Sequence, residues 1–504
     1  MNKQLFVNKA VYILFAVLFG VVFLSALFFN VCFEYNPVLQ IAVMLAASSL
    51  LVGATFLYMH HRQSMLRFRY RILAAVVIFI FAVQLIIGLQ TIPNPMYDHG
   101  KVFWCAVHWA TGNSGEEFAI YDNYLHHYPA QMGLFLLLQS LFGGVQLFGL
   151  DCFYLSACIV GHLLFAVMTV CAFFYLERVV NSDCALFMLL LEVMFLPLYF
   201  QSSISYTDTF SVWSIPCTLL LSDLALKAPT IQKHLLYGSI CGILLAVGAQ
   251  IKVTVIIVAI ALVIQFIVTK TFKQQLLSLA SAAVCFVIVS QLFSVWSYST
   301  VLQKERDGEG MPVTHWLMMG LQGDGSYSSY DEWDITCAVF PEMRVQRNLE
   351  VINERLSEMG VGGYLKLIQK KTCRTFGSGT ADMSYNYQYQ DDSPVAGWVY
   401  DIVLQQGRFY FLFNNLSNGM YLLLLLLGVA GACLVVPKKD ALLFAFAPFL
   451  ALVGFWMFMM LWESNHRQLI NQWSLFFITG AIGLYLLYKN LSSILSKKQI
   501  PATV

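Results

Sequence analysis

Charge is what this sequence has least of. Charged residues make up 11% of its 504 positions, where a soluble globular domain carries roughly 25%. A string of soluble domains is excluded by the way the 59% of hydrophobic residues are spread. They fall in blocks of about 20, the length that crosses a ~30 Å hydrocarbon layer. An excess of either sign is missing too. The formal net charge is +1, which argues against nucleic acid or a strongly acidic partner. No CxxC occurs, and most of the twelve cysteines, among them Cys158, Cys171, Cys217, Cys241, Cys285 and Cys433, sit inside apolar blocks as small hydrophobes. Only Cys105, Cys337 and Cys373 lie well inside polar loops. A Cys337–Cys373 disulfide would need an oxidising space, and free thiols are the preferred reading. Low-complexity linkers, internal repeats and a cleavable signal peptide are not evident.

The apolar blocks predict twelve spans, at 10–29, 38–59, 73–92, 152–175, 184–202, 210–226, 235–250, 253–269, 276–295, 419–436, 441–461 and 469–488. Lysine and arginine in short connections stay cytoplasmic. With the first span starting inside, Lys3, Lys9, Arg62, Arg67, Arg69, Arg71, Arg178, Lys227, Lys233, Lys270, Lys273, Lys438, Lys439, Lys489, Lys497 and Lys498 all fall on one side. Residues 130–150 are apolar enough to span, but counting them would invert every later connection. They are therefore expected to lie along the outer interface or re-enter, with Gly143–Gly144 easing a bend.

The chain then divides into an N-terminal helix pair with its basic loop (1–72), a transmembrane core (73–295) with a first outer loop (93–150), a large outer loop (296–418) and C-terminal helices (419–504). The expected fold is an all-α polytopic membrane protein with about 12 transmembrane helices and two large extracytoplasmic loops containing interfacial helices.

Most polar residues able to do chemistry lie in those loops. Asp98 follows Pro93 and Pro95 within about a turn of the interface, where a partly desolvated carboxylate suits a general base; the competing reading is a solvated loop Asp. His126 and His127 precede Tyr128-Pro129. Either imidazole could bind phosphate when protonated or a metal when neutral, although neighbours on a helix point about 100° apart, and for His126 an interfacial polar belt is preferred. Asp208 ends a span, at a depth where acids usually line a cavity. Glu192 and His162 lie deeper and read as helix bridges. Lys252 is the sole cation of an outer turn, there to pair with a lipid phosphate or to snorkel. His315, Trp316, Asp324 and Tyr327 surround a glycine-rich turn that allows close ligand approach, with aromatic faces suited to sugars. Lys366, Lys370, Lys371 and Arg374 read mainly as headgroup-binding surface. Arg467 lies outside, against the charge rule, so an anionic partner is expected. Glu463 and a lipid phosphate are the candidates, with His466 beside them.

In order along the chain come an acid-bearing first loop, Tyr128-Pro129, a Tyr-x-Asp at Tyr206 and Asp208, the turn AQIKVT and an outer Arg before the last span. That order resembles the integral membrane C-type (GT-C) glycosyltransferases, especially the protein mannosyltransferase and aminoarabinose transferase group. The resemblance covers about 73 to 488, and THWLMMGL resembles bacterial members that modify cell-wall polysaccharides. Two departures stand out. Tyr97-Asp98-His99 replaces the usual Asp-Glu pair, leaving Asp122 as an alternative base, and three helices rather than one precede the first loop.

The resemblance implies a glycosyltransferase at the extracytoplasmic face of a bacterial plasma membrane. It would move a sugar from a polyprenyl-phosphate carrier to a glycan, lipid or protein acceptor, with inversion. Asp98 would be the base, and Arg467, Lys252, His127 and Tyr128 would meet the donor phosphate. Tyr206, Asp208, His315 and Asp324 would meet substrate. No feature demands a cofactor, although related oligosaccharide transferases use a divalent metal. A polymerase or ligase of lipid-linked chains and a lipid or solute transporter are the alternatives. A transporter should show broken helices with polar groups near midplane.

Overall fold

The computed structural model describes residues 3–29, 35–91, 95–113, 116–300, 309–381, 383–387, 397–436 and 446–498. Its helices are α1 (Lys3–Phe28), α2 (Pro37–Arg67), α3 (Arg69–Gln90), α4 (Tyr97–Thr111), α5 (Glu116–His127), α6 (Met132–Leu147) and α7 (Phe153–Val179). There follow α8 (Ser182–Met194), α9 (Pro197–Gln201), α10 (Thr207–Phe210), α11 (Ser214–Leu226), α12 (Ile231–Ile251), α13 (Ile256–Val268) and α14 (Phe272–Thr300). The rest are α15 (Val313–Met319), α16 (Arg344–Phe376), α17 (Met383–Asn386), α18 (Trp398–Val403), α19 (Tyr410–Val435), α20 (Ala447–Leu461) and α21 (Trp473–Lys498).

Among the described residues no strand occurs, as lipid demands: backbone polar groups without water must bond within their own helix. Among the described residues, ten helical segments are long and apolar enough to cross a bilayer, and two shorter apolar ones accompany them. Eleven of the twelve predicted spans coincide with α1, α2, α3, α7, α11, α12, α13, α14, α19, α20 and α21, and the twelfth, 184–202, is matched only over its first half, by α8. Pro93, Lys438 and Lys439 lie outside the described residues.

Helix starts are set by side chains that satisfy free backbone N–H groups. Asn36 Oδ1 accepts from Val38 and Leu39 at 2.9 and 3.3 Å, and Asn181 and Thr230 cap α8 and α12 in the same way. The span predicted at 184–202 is corrected: α8 holds 13 residues and ends before Pro197, whose ring cannot continue it. The chain between α8 and α11 instead breaks into the short α9 and α10, buried throughout, which lipid allows only inside protein.

The helices pack closely where side chains are small. Gly238 and Gly242 of α12 face α14, and a Cβ there would meet the Ser278 and Ala282 carbonyl oxygens at 2.3 and 2.1 Å, a small-xxx-small contact of membrane helices. α21 is almost wholly enclosed, while α14 has hardly any surface buried.

The bundle has two unlike ends. At one, Arg62, Arg69, Arg178 and Lys227 gather. The other carries both long loops. α6 is long enough to span, yet each of its ends touches the loop end. Gln131, just before it, donates to Tyr206 at 3.0 Å. Phe142 meets Phe153 at 5.3 Å, one residue from Tyr154, whose hydroxyl bonds Thr91 at the end of α3. α6 thus lies across the loop end, and it runs unbroken through Gly143–Gly144 rather than bending there. A Cβ on Gly133 would sit 2.0 Å from the Gln250 carbonyl oxygen, so only glycine lets α6 rest on the end of α12.

Candidate functional site

Asp98 stands in the first turn of α4, where the helix dipole favours a carboxylate. The preceding Tyr97 has φ 53°, a left-handed conformation that costs a non-glycine residue about 1–3 kcal/mol. A parallel stack on Tyr385 at 4.1 Å holds it. The Asp98 side chain is 42% exposed, and its Oδ2 lies 3.5 Å from Arg467 Nη2.

Arg467 comes from the 3₁₀ turn His466–Gln472, capped by Asn465, whose Oδ1 accepts the Arg467 N–H at 3.1 Å. Its Cζ lies 4.6 Å from the centre of the Tyr206 ring, a cation–π contact. Among the described residues its Nε is shielded from water with no hydrogen-bond partner. Two residues from Tyr206, the buried Asp208 meets Lys252 Nζ at 2.8 Å. Asp98, Arg467, Tyr206, Asp208 and Lys252 are therefore brought together. Of the two candidate partners of Arg467, Glu463 and a lipid phosphate, neither is the carboxylate in contact, which is Asp98, and Lys252 is paired with Asp208.

Glu463 is still part of the setting. Burial raises its carboxyl pKa to about 7, against the pull of Arg467 and with Asp98 adding to the rise. His99, packed edge-on to Tyr206 at 6.1 Å, is kept neutral because burial, then Arg467, lower its pKa to about 4. A small cavity lined by His99, Tyr154, Ser205 and Tyr387 lies behind it.

Five predicted residues serve other contacts. Tyr128 donates to Glu332 Oε1 at 2.5 Å, Tyr327 donates to Oε2 at 2.6 Å, and His127 Nε2 lies 3.5 Å from Oε1. Burial opposes the charge on Glu332, but hydrogen bonds from His127, Tyr128 and Tyr327 outweigh it and hold the pKa at about 2. Tyr128 and His127 thus tie the two loops together through Glu332. Asp122 faces His126, 3.5 Å away. His315 is buried with Nδ1 2.9 Å from the Thr336 hydroxyl, inside the second loop. Asp324 accepts the Ser326 N–H at 3.1 Å and lies 3.8 Å from Arg374, shaping its glycine-rich turn.

Two functional groups escaped sequence reasoning. Glu332 sits in DEWD, where the only signal was an acid beside an exposed tryptophan. Lys371, expected at the surface, is fully buried. Its Nζ donates to the Gly320 and Trp462 carbonyls, both at 2.8 Å, and its stem would be 3.0 Å from a Cβ on Gly325, which has φ 79°. Burial lowers its pKa to about 8, with Glu463 opposing. It pins the second loop to the segment that carries Glu463 and Arg467. Cys337 and Cys373 are not joined to each other: Cys337 lies beside His127, and Cys373 donates to the Phe29 carbonyl. Among the described residues no group of three or more His, Cys, Asp or Glu is arranged for a metal ion.

A helical bundle crossing the bilayer, with a polar site gathered at one end, defines the class. The chain belongs to the family described as conserved hypothetical integral membrane protein, whose model matches residues 4–484. No curated protein matches it. Among solved structures it is similar to ArnT from Cupriavidus metallidurans bound to undecaprenyl phosphate, at 13% identity over 86% of this chain and 80% of that one, with TM-score 0.36. The apo structure of the same protein gives 13% identity, 86% and 81% coverage and TM-score 0.33. Likenesses this distant carry no argument about chemistry, which rests on the site.

Proposed function

We propose that the protein is a glycosyltransferase that moves a sugar from a polyprenyl-phosphate carrier to a hydroxyl acceptor at the extracytoplasmic face. The observation that carries this reading is the unfilled Nε of Arg467 beside Asp98. A shielded guanidinium donor without a partner calls for one, and an anionic phosphate oxygen fits its fork. The charge-rule placement of the loops supports the extracytoplasmic side.

In the reaction the acceptor oxygen attacks the anomeric carbon as the bond from that carbon to the phosphate oxygen breaks. The phosphate leaves with the bonding pair, and in-line attack inverts the centre. Asp98 accepts the hydroxyl proton. Arg467 neutralises the leaving phosphate, with Lys252 as a second cation held by Asp208; charge fixed in advance costs no reorganisation when the bond breaks. Tyr206 holds the guanidinium in place from below.

The test is to incubate the purified protein with a panel of polyprenyl-phosphate sugars and measure released polyprenyl phosphate. Release with at least one donor, lost in Arg467→Ala, is expected. Turnover of none, or release undiminished in Arg467→Ala, rejects the proposal.

A further inference from the structure

The loop that carries Glu332 presents three large aromatic side chains outward. Tyr327, Tyr330 and Trp333 are 54%, 63% and 58% exposed. Exposed aromatics this close in sequence are unusual on a surface without a use, because each leaves apolar area in contact with water. They are also held stiffly. Trp333 lies parallel to the His127 ring, 5.6 Å between centres at 12°. The Tyr327 hydroxyl is tied to Glu332. The backbone between them is a π-helical turn, Asp331–Thr336, a form frequent at functional sites. Arg355 clamps that turn with two bonds to Asp331, at 2.8 and 2.7 Å. Stiff aromatics lose little conformational freedom on binding, which makes them good anchors.

We propose that Tyr327, Tyr330 and Trp333 form a shelf that stacks a neutral pyranose ring of a glycan acceptor beside the Asp98 site.

The charge of the shelf selects this occupant. Between Tyr327 and Met343 there is no Lys, Arg or His, while Asp331, Glu332 and Asp334 are present. An anionic headgroup surface or a phosphorylated ligand is repelled by that balance. Asp331 is taken by Arg355 and Glu332 by two phenols, which leaves Asp334 as the one carboxylate beside Trp333, less than the ring of acids and aromatic faces that encloses a quaternary ammonium. A sugar ring offers a C–H face to the π surfaces and hydroxyls to the polar rim. The shelf also neighbours the chemistry. Two residues before Tyr327, the Gly325 carbonyl accepts the Ser464 N–H at 2.6 Å, three residues from Arg467, which itself meets Asp98. The inference rests on the transferase reading only for the word acceptor; binding of a sugar ring stands without it.

The experiment is ¹⁹F NMR of the full-length protein labelled with 5-fluorotryptophan, the Trp333 signal assigned by its loss in Trp333→Phe. Cellobiose, maltose and N,N′-diacetylchitobiose are titrated in turn. At least one should shift the Trp333 signal saturably, and Tyr330→Ala should weaken that binding about threefold to tenfold, the scale of one lost aromatic contact. No shift with any of the three overturns the shelf. So does a larger shift with tetramethylammonium, which would make it a cation cage. Broadening of the signal by a paramagnetic headgroup lipid, with no response to sugars, would make it a membrane-anchoring belt. The two readings fail separately. Carrier release with a silent Trp333 defeats the shelf alone, and sugar binding without release from any donor defeats the transferase alone.

Discussion

The two ends of the bundle use the same residue types to opposite purposes. At the basic end each acid has its cation at hydrogen-bonding distance. Arg62 holds Asp183 at 2.8 and 2.9 Å, Arg69 holds Glu177 at 2.6 Å, and Asp223 takes both Arg178 at 2.6 Å and Lys227 at 2.8 Å. At the loop end, Asp98, Asp208 and Glu463 face Arg467 and Lys252, the Arg467–Asp98 contact is a loose 3.5 Å, and one guanidinium N–H is idle. A set of ion pairs that closes on itself fastens helices, whereas one that does not close is ready for a ligand.

The sharpest way to break this contrast is to remove the base. Asp98→Asn should lower sugar transfer by about 10²–10⁴-fold while donor binding and thermal stability stay close to wild type. Asp122→Asn, whose side chain faces His126, should retain activity within a few fold. Equal losses in the two variants would move the base or abolish the distinction.

Next in size is Arg467. Arg467→Ala should weaken donor binding and slow transfer together, and Arg467→Lys should restore only part, since a point charge cannot reproduce the planar fork. If the guanidinium serves only to pair with Asp98, Arg467→Ala should keep normal donor affinity, and that result would make this end of the bundle like the other.

How much of this was legible beforehand depends on range. Span length and hydropathy are local, so eleven of the twelve predicted spans could be read from blocks of apolar residues, while the segment 130–150, apolar enough to span, could be placed only by what its ends touch. Contacts made across the chain could not be read. Tyr128 and Glu332 are 204 residues apart, and no spacing rule connects them. Lys371 resembled its neighbours Lys366 and Lys370, and only the fold turns it inward. The break between α8 and α11 had a visible cause in Pro197, but its apolar flanks masked it. Asp98 and Arg467 were each singled out by position relative to the membrane, although their contact was not foreseen.

Glu332 supplies the third comparison, since it is a closed acid at the open end. Its folded pKa of about 2 lies below the ordinary value of about 4.3 for a free carboxyl. A carboxyl depressed by folding adds stability above its unfolded pKa and loses it as pH falls through the folded one. Hydrogen exchange at residues 327–336 should therefore quicken between about pH 4.3 and 2. In Glu332→Gln the step should vanish, leaving faster exchange at neutral pH, whereas an unchanged step would assign it to another acid.

The smallest effect is expected at the basic end. Arg62 is about half exposed, and ion pairs with a solvated partner contribute roughly 0.2–1 kcal/mol. Arg62→Ala should lower the melting temperature by no more than a few degrees and leave carrier release within twofold of wild type. The reason is geometric as well as energetic. Asp183 keeps a second donor in the Tyr58 hydroxyl, so losing the arginine does not strand a buried charge, and α2 and α8 stay joined. Tyr58→Phe together with Arg62→Ala removes both donors and leaves Asp183, with little exposure of its own, without a partner, which costs more than the sum of the single changes. Superadditive loss of stability with undiminished transfer is the expected result. Loss of transfer in proportion to stability would mean that the two ends are coupled, and that the fastening end of the bundle also sets the geometry of the reactive one.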